Sequence, residues 1–182
     1  KSSNDPFWEK SAADYFTGLA LGLFEDAKES EINLNSMNLM SSLGEERFGG
    51  PNNNYIKEYF NSKDPSRPAY VNASGVVFTA EDTKQGVLAT FKQKVKLFSS
   101  RDNLSEMLCH SDFDMKEIGR QKTAVFMIVQ DEKKTLHPLA TIFIKQCYET
   151  LIDVAQESGG KLPYRTNFIL DEFANMPPLK DV

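Results

Sequence analysis

Apolar positions recur at helical spacing through most of the chain and change to short continuous runs near its end. From residue 6 to about 28, Trp8, Ala12, Tyr15, Leu19 and Leu23 share one face, and Phe16, Ala20 and Phe24 widen it. This predicts a helix buried over much of its circumference. Asp5 suits the cap and Pro6 the first helical position. Gly18 and Gly22 cost helix propensity while permitting close approach of a neighbour, and Glu25 and Asp26 exclude a membrane dimer motif. Leu34, Met37, Leu39, Met40 and Leu43 predict a second, shorter helix ending at Gly44, with its Met and Leu stripe read as core. Residues 45–54 contain Gly49, Gly50, Pro51 and three consecutive asparagines, which predicts a polar loop. Tyr55, Ile56, Tyr59 and Phe60 resume the helical pattern until Asp64 to Pro68 breaks it. Tyr70, Val71, Val76, Val77 and Phe78 then mark another helical piece, interrupted by Gly75.

The clearest amphipathic helix covers about residues 80–98, capped by Thr79, with Val87, Leu88, Phe91, Val95 and Phe98 on its apolar stripe. Lys92 and Lys96 lie a turn apart on the other side, beside Gln85 and Ala89. They form either a solvated face or a surface that docks a polar partner. Beyond Ser111, Asp114 and Glu117 form a capping pair for a short turn ending at Gly119. The texture then changes: residues 123–129 are continuously apolar and rich in strand formers, as in a buried parallel strand. A helix over about 136–156 follows, with Leu139, Ile142, Phe143, Cys147, Leu151 and Val154 inward. Gly159-Gly160 ends it, and residues 165–170 form a second strand. The expected fold is therefore mainly α: an all-α domain over 1–119, then a βαβ fragment of a parallel α/β sheet over 120–182, its crossover right-handed.

The 182 residues are 40% hydrophobic and 26% charged, an ordinary globular composition. No apolar run approaches the roughly 20 residues that span a bilayer, and no signal-peptide pattern is present. The net charge of −5 argues against a dedicated DNA-binding domain, although local basic patches remain open. Cys109 and Cys147 have no metal-ligand spacing and are expected to be free thiols. A chain that begins at Lys1 and ends at Val182, just beyond an acidic pair, is expected to be a piece of a longer protein.

That acidic pair is the main candidate for chemistry. Asn167-Phe168-Ile169-Leu170-Asp171-Glu172 looks like a Walker B strand, whose apolar residues pack while the acids at its carboxyl end meet metal and water. The other reading is a strand ending in a polar turn. On the first reading Asp171 holds the magnesium shell of Mg-ATP and Glu172 orients or deprotonates the attacking water. No G-x-x-x-x-G-K-[ST] phosphate loop accompanies them, and Gly159-Gly160-Lys161 follows a helix and continues into Leu162, so it is a decoy. His110 and His137 have no partner at metal-ligand spacing, and surface or capping roles are expected for both. Cys109-His110 lacks the context of a catalytic thiolate.

Taken together, Asp5-Pro6-Phe7-Trp8-Glu9-Lys10-Ser11-Ala12-Ala13, Ser111-Asp112-Phe113-Asp114, the run 123–129 and Leu170-Asp171-Glu172-Phe173-Ala174-Asn175 resemble the type IV coupling proteins of the TraG-like family. These are ATPases of conjugation and type IV secretion, and the resemblance covers nearly the whole chain. In that family the all-α domain is inserted between the phosphate loop and the Walker B strand, which accounts for acids without a cradle. The resemblance implies a RecA-like, membrane-anchored homo-hexameric motor at the cytoplasmic face of the cell membrane. It implies ATP and magnesium as cofactors of the full-length protein. The partners implied are the relaxase and relaxosome accessory proteins or secreted effectors, secretion channel proteins, and single-stranded DNA. The all-α domain is implicated in recognising cargo. Asp171 carries over as the magnesium-shell acid and Glu172 as the catalytic base, in the full-length protein only; this stretch alone is expected to be soluble, monomeric, without a cofactor and inactive towards ATP. The alternatives are a helical insertion in another DNA-pumping or helicase-type ATPase, and a non-enzymatic helical adaptor.

Overall fold

A computed structural model describes residues 6–99, 102–129 and 136–171. The chain separates into two compact units, Lys1–His110 and Ser111–Val182. Unit 1 holds helices α1 (Pro6–Asp26), α2 (Leu34–Leu43), α3 (Tyr55–Asn61), α4 (Pro68–Val77), α5 (Glu81–Ser99) and α6 (Asp102–Met107), with a 3-10 turn at Glu29–Glu31. Unit 2 holds α7 (Glu117–Arg120) and α8 (His137–Glu157).

Local chemistry sets most of these boundaries. Asn33 Oδ1 accepts from the Ser36 amide at 2.9 Å and Asn54 Oδ1 accepts from the Lys57 amide at 2.9 Å, so each asparagine satisfies one of the amides left unpaired at a helix start. Pro68 occupies the first turn of α4, where its missing N–H costs nothing. At α5 the Ala80 carbonyl accepts from the Lys84 amide, which puts Ala80 and not the expected Thr79 in the cap position. The expected cap for α1, Asp5, lies outside the described residues.

The core of unit 1 is built on α1, against which α4 and α5 pack. Ala12, Tyr15 and Leu19 of α1 meet Ala69, Ala73, Val76 and Val77 of α4 and Val87, Leu88 and Phe91 of α5 in one buried cluster. A Cβ on Gly18 would come 2.5 Å from Ala73 Cβ, so the absence of a side chain there lets α1 and α4 approach. Gly86 similarly leaves room for the Trp8 ring, which a Cβ would meet at 2.5 Å. The Tyr15 ring stands edge-on to Phe91, with centroids 5.2 Å apart. The apolar face of α1 is narrower than its sequence suggests: Phe16 and Phe24 are exposed, Phe24 at 65%.

Unit 2 has a small core of Ile118, Cys147 and Leu151, with Met115 and Leu162 against it. The buried stripe of α8 runs through His137, Ala140, Ile144, Cys147, Leu151 and Val154. Its N-terminal half is therefore rotated from the expected Leu139, Ile142 and Phe143, and Ile142 is exposed. His137 is buried rather than superficial. Gly159 and Gly160, at φ 80° and 97°, take the left-handed conformation that ends the helix.

The expected βαβ sheet is not seen among the described residues. Among the described residues there is no strand, and segments 123–129 and 165–170 carry no ladder hydrogen bonds. Their apolar side chains stand out, Phe126 at 88%, Ile128 at 95% and Ile169 at 91% exposure. The physical reason is that a parallel sheet is stable when both faces are covered, and a pair of strands buries too little to hold its own hydrogen bonds.

Candidate functional site

Two regions bear on function, and they lie in different units. The first is the loop between α2 and α3. Arg47 and Asn54 form an isolated antiparallel bridge that closes it, with the Tyr55 amide donating to the Glu46 carbonyl and the Phe48 amide to the Asn53 carbonyl. Gly49 adopts φ 71° at its tip. Beneath the loop, Glu45 Oε2 accepts from Asn54 Nδ2 at 2.9 Å and lies 2.6 Å from Lys84 Nζ. Lys84 is completely buried. The pair is close enough for a strong Coulombic attraction, yet its angles do not make a hydrogen bond, so Lys84 Nζ and Glu45 Oε1 have no hydrogen-bond partner. Tyr15 donates to Ser41 Oγ at 3.4 Å in the same interior. Burial pushes the Tyr15 phenol up to about 12, partly offset by the Ser41 hydrogen bond and reinforced by the Glu45 charge.

The loop thus has an ionic anchor on the core side and an aromatic outer face. Phe48 stacks on Tyr55 with centroids 4.7 Å apart, and both remain substantially exposed. Nothing in the hydropathy pattern of residues 45–54 pointed to this anchor. The available signal was Lys84 itself, which falls three residues before Val87 and four before Leu88, on the apolar stripe of α5.

At the C-terminal end of α1, Lys63 bridges Glu25 and Asp26, each at 2.8 Å, and lies over the Tyr59 ring at 4.9 Å. Tyr59 donates to Asp26 Oδ2 at 2.7 Å. The hydrogen bonds from Lys63 and then Tyr59 hold the Asp26 carboxyl below its ordinary range. Burial, followed by the Asp26 hydrogen bond, pushes the Tyr59 phenol up to about 12. Hydrogen bonds to Asp26 and Glu25 overcome burial and raise the Lys63 ammonium.

The second region is the acidic pair. Asp171 sits in a turn at the end of segment 165–170 and is exposed; Glu172 lies outside the described residues. Among the described residues no cluster of His, Cys, Asp and Glu could hold a metal. With no phosphate loop in the sequence and no sheet to aim Asp171, the residues present do not by themselves fit magnesium-ATP, and no hydrolytic step follows from them. Cys109 and Cys147 are free thiols; Cys109 Sγ donates to the Ser105 carbonyl, and burial pushes the Cys147 thiol up. Among the described residues no helix is long and apolar enough to cross a membrane.

The described residues thus define a mainly helical chain, one unit of which carries an aromatic loop anchored by an ion pair. The family model for Type IV secretory system Conjugative DNA transfer matches residues 1–181, and the chain belongs to that family. Neither a curated protein nor a solved structure matches the chain.

Proposed function

We propose that unit 1 recognises cargo for a conjugative coupling protein, and that unit 2 is part of the nucleotide-driven motor that moves this cargo. The observation that carries the reading is the loop at residues 45–54. An exposed aromatic stack, Phe48 on Tyr55, is held in place by the ion pair of partly buried Glu45 with buried Lys84 and by the Asn54 cap, on a chain of the conjugative DNA-transfer family. Amphipathic rings on a fixed base are the kind of side chain that anchors protein–protein contacts. The acidic balance of the chain favours a protein as the direct partner of this surface, namely a relaxase, a relaxosome accessory protein or a secreted effector.

On this proposal segments 123–129 and 165–170 are strands of a RecA-like sheet whose remaining strands come from elsewhere in the full-length polypeptide. Completion of the sheet covers Phe126, Ile128 and Ile169 and aims Asp171. With a phosphate loop supplied from outside this stretch, Asp171 would hold the magnesium shell and Glu172 would orient water. The full-length protein is a hexameric ATPase at the cytoplasmic face of the membrane that engages secretion channel proteins and passes single-stranded DNA.

Binding of purified relaxase and accessory proteins to the chain tests the cargo reading. Binding by the wild type, weakened by Phe48→Ser and unaffected by Phe126→Ser in unit 2, is expected. Failure of the wild-type chain to bind any of them, or equal loss in both variants, contradicts it.

A further inference from the structure

A groove of about 580 Å³ opens on unit 1 between the C-terminal half of α1, α2 and α3. Its walls are apolar: Leu23, Met40, Leu43, Ile56 and the rings of Tyr55 and Tyr59. Its volume lies within the range of sites that enclose a few large side chains, ~300–1,000 Å³. Leu43 and Tyr55 are half exposed at the mouth, and Leu39 beside them is exposed as well.

The floor is fixed. Gly22 leaves room for the Tyr59 phenol, which a Cβ would meet at 2.8 Å, and the one Tyr59 O–H proton is shared between Asp26 Oδ2 at 2.7 Å and the Gly22 carbonyl at 3.1 Å. The groove is therefore held open by a hydrogen bond between the helices that form it.

The charged residues that line it are of one sign. Asp26, Glu31 and Glu46 line the groove and no basic residue does. Lys63 pairs with Glu25 and Asp26 and Arg67 also acts on Asp26, so the free acidity of the rim rests on Glu31 and Glu46. Glu31 is held at the rim by accepting from the Lys28 amide at 3.0 Å. A site with apolar walls and a carboxylate rim selects a ligand with the complementary pattern, since like charges are repelled at the rim and a purely polar ligand gains nothing from the walls.

We infer that this groove docks a short protein segment in which leucine-sized apolar side chains are flanked by lysines or arginines. The inference rests on the cargo reading of unit 1 and adds to it the place and the chemistry of recognition. Apolar side chains enter between Leu43, Tyr55 and Tyr59, while the flanking cations meet Glu31 and Glu46. The acids set direction and selectivity, and the buried apolar contacts supply most of the affinity.

The test uses the whole 182-residue chain and two synthetic peptides, one of alternating Lys-Lys and Leu-Leu blocks and one with Glu in place of every Lys. Fluorescence anisotropy gives affinity and amide chemical shifts give location. The lysine peptide binds, shifting Leu43, Tyr55 and Tyr59, and the glutamate peptide does not. Leu43→Asp and the pair Glu31→Lys with Glu46→Lys each weaken binding about tenfold, equivalent to ~1.4 kcal/mol. All three positions are exposed, and unchanged Trp8 fluorescence confirms that unit 1 stays folded. Equal binding of both peptides, shifts confined to another surface, or affinity unaltered in both variants overturns the inference. So do concentration-dependent shifts of the same amides without peptide, which assign the groove to a second copy of the chain. If the wild-type chain binds relaxase while the groove variants hold the peptide normally, the groove is excluded and the cargo reading stands. If peptide binding follows the expected pattern while no cargo protein binds, the cargo reading fails alone.

Discussion

Lys84 Nζ lies 2.6 Å from Glu45 Oε2 in the interior of unit 1, joining α5 to the loop that follows α2, and the lysine side chain has no exposure. Removing one member of such a pair strands the other charge in a poorly solvated site, which costs about 3–5 kcal/mol, whereas the intact pair contributes little net stability over an apolar replacement. Lys84→Met is therefore expected to lower the unfolding free energy of unit 1 by about 3 kcal/mol or more. The double variant Lys84→Met/Glu45→Gln, which keeps an acceptor for Asn54, is expected to recover at least about 1 kcal/mol of this through coupling. Urea unfolding followed by the fluorescence of Trp8, the single tryptophan, reads both. Strict additivity of the two substitutions contradicts the pairing.

The approach of α1 to α4 depends on Gly18. A Cβ there would come 2.5 Å from Ala73 Cβ and 2.7 Å from the Ala73 amide nitrogen, so one helix must move. Gly18→Ala gains about 1 kcal/mol in helix propensity and loses about 1–3 kcal/mol to overpacking. A net loss is expected in the same urea experiment. Ala73→Gly in the Gly18→Ala background is expected to relieve the Cβ part of the clash, and a loss unaltered by that second substitution argues against the contact.

Two phenols define the alkaline limit. Tyr15 and Tyr59 have an ordinary value of 10.0 and are both pushed up to about 12, chiefly by burial. The unfolded chain releases these protons first, so their contribution is fully present below pH 10 and is lost as pH rises through about 12. Asp26 acts in the opposite direction. Its carboxyl is lowered, so its contribution is present above the ordinary value of 3.8 and is lost as pH falls through the lowered folded value. Tyrosinate absorbance should show two of the six tyrosines ionising late and together with unfolding. Tyr15→Phe should flatten the alkaline fall in stability. Ionisation of all six near pH 10 in the folded chain contradicts the burial argument.

In unit 2 the side chains of Phe126, Ile128 and Ile169 are almost fully exposed. Apolar surface of this kind binds hydrophobic dyes and promotes association. The chain is expected to bind the dye ANS, and Phe126→Ser/Ile128→Ser should reduce that binding severalfold while leaving the Trp8-monitored transition of unit 1 in place. Unchanged dye binding contradicts the exposure of this segment.

Helix positions were legible because they rest on helical periodicity, as in the Ala12–Tyr15–Leu19 face and the Val87–Leu88–Phe91 stripe, whereas the Asn33 and Asn54 caps and Pro68 in a first turn are local signals that the periodicity passed over. What periodicity could not decide was which flank of a broad apolar face meets a neighbour. Phe16 and Phe24 were expected inside and are exposed, because α4 and α5 pack along the side of α1 that carries Trp8, Ala12, Tyr15, Gly18 and Leu19. Lys84 escaped notice because a charge on an apolar stripe reads as an edge position, and only the fold brings Glu45 to it. The expected strands are absent among the described residues for a different reason. Residues 123–129 have the composition of a buried strand, but composition expresses a preference that only neighbouring strands can satisfy. For the acidic pair, the family match covers residues 1–181, while the roles proposed for Asp171 and Glu172 need a phosphate loop that these 182 residues do not contain.

The central claim is that unit 1 chooses what is transferred. Its most direct test is a mating assay in which residues 6–110 replace the corresponding helical segment of a full-length coupling protein from a different conjugative system. The account predicts that the chimera loses transfer of its original plasmid and gains transfer of the plasmid native to unit 1, with ATPase activity unchanged. A chimera that hydrolyses ATP and still transfers only its original plasmid contradicts it.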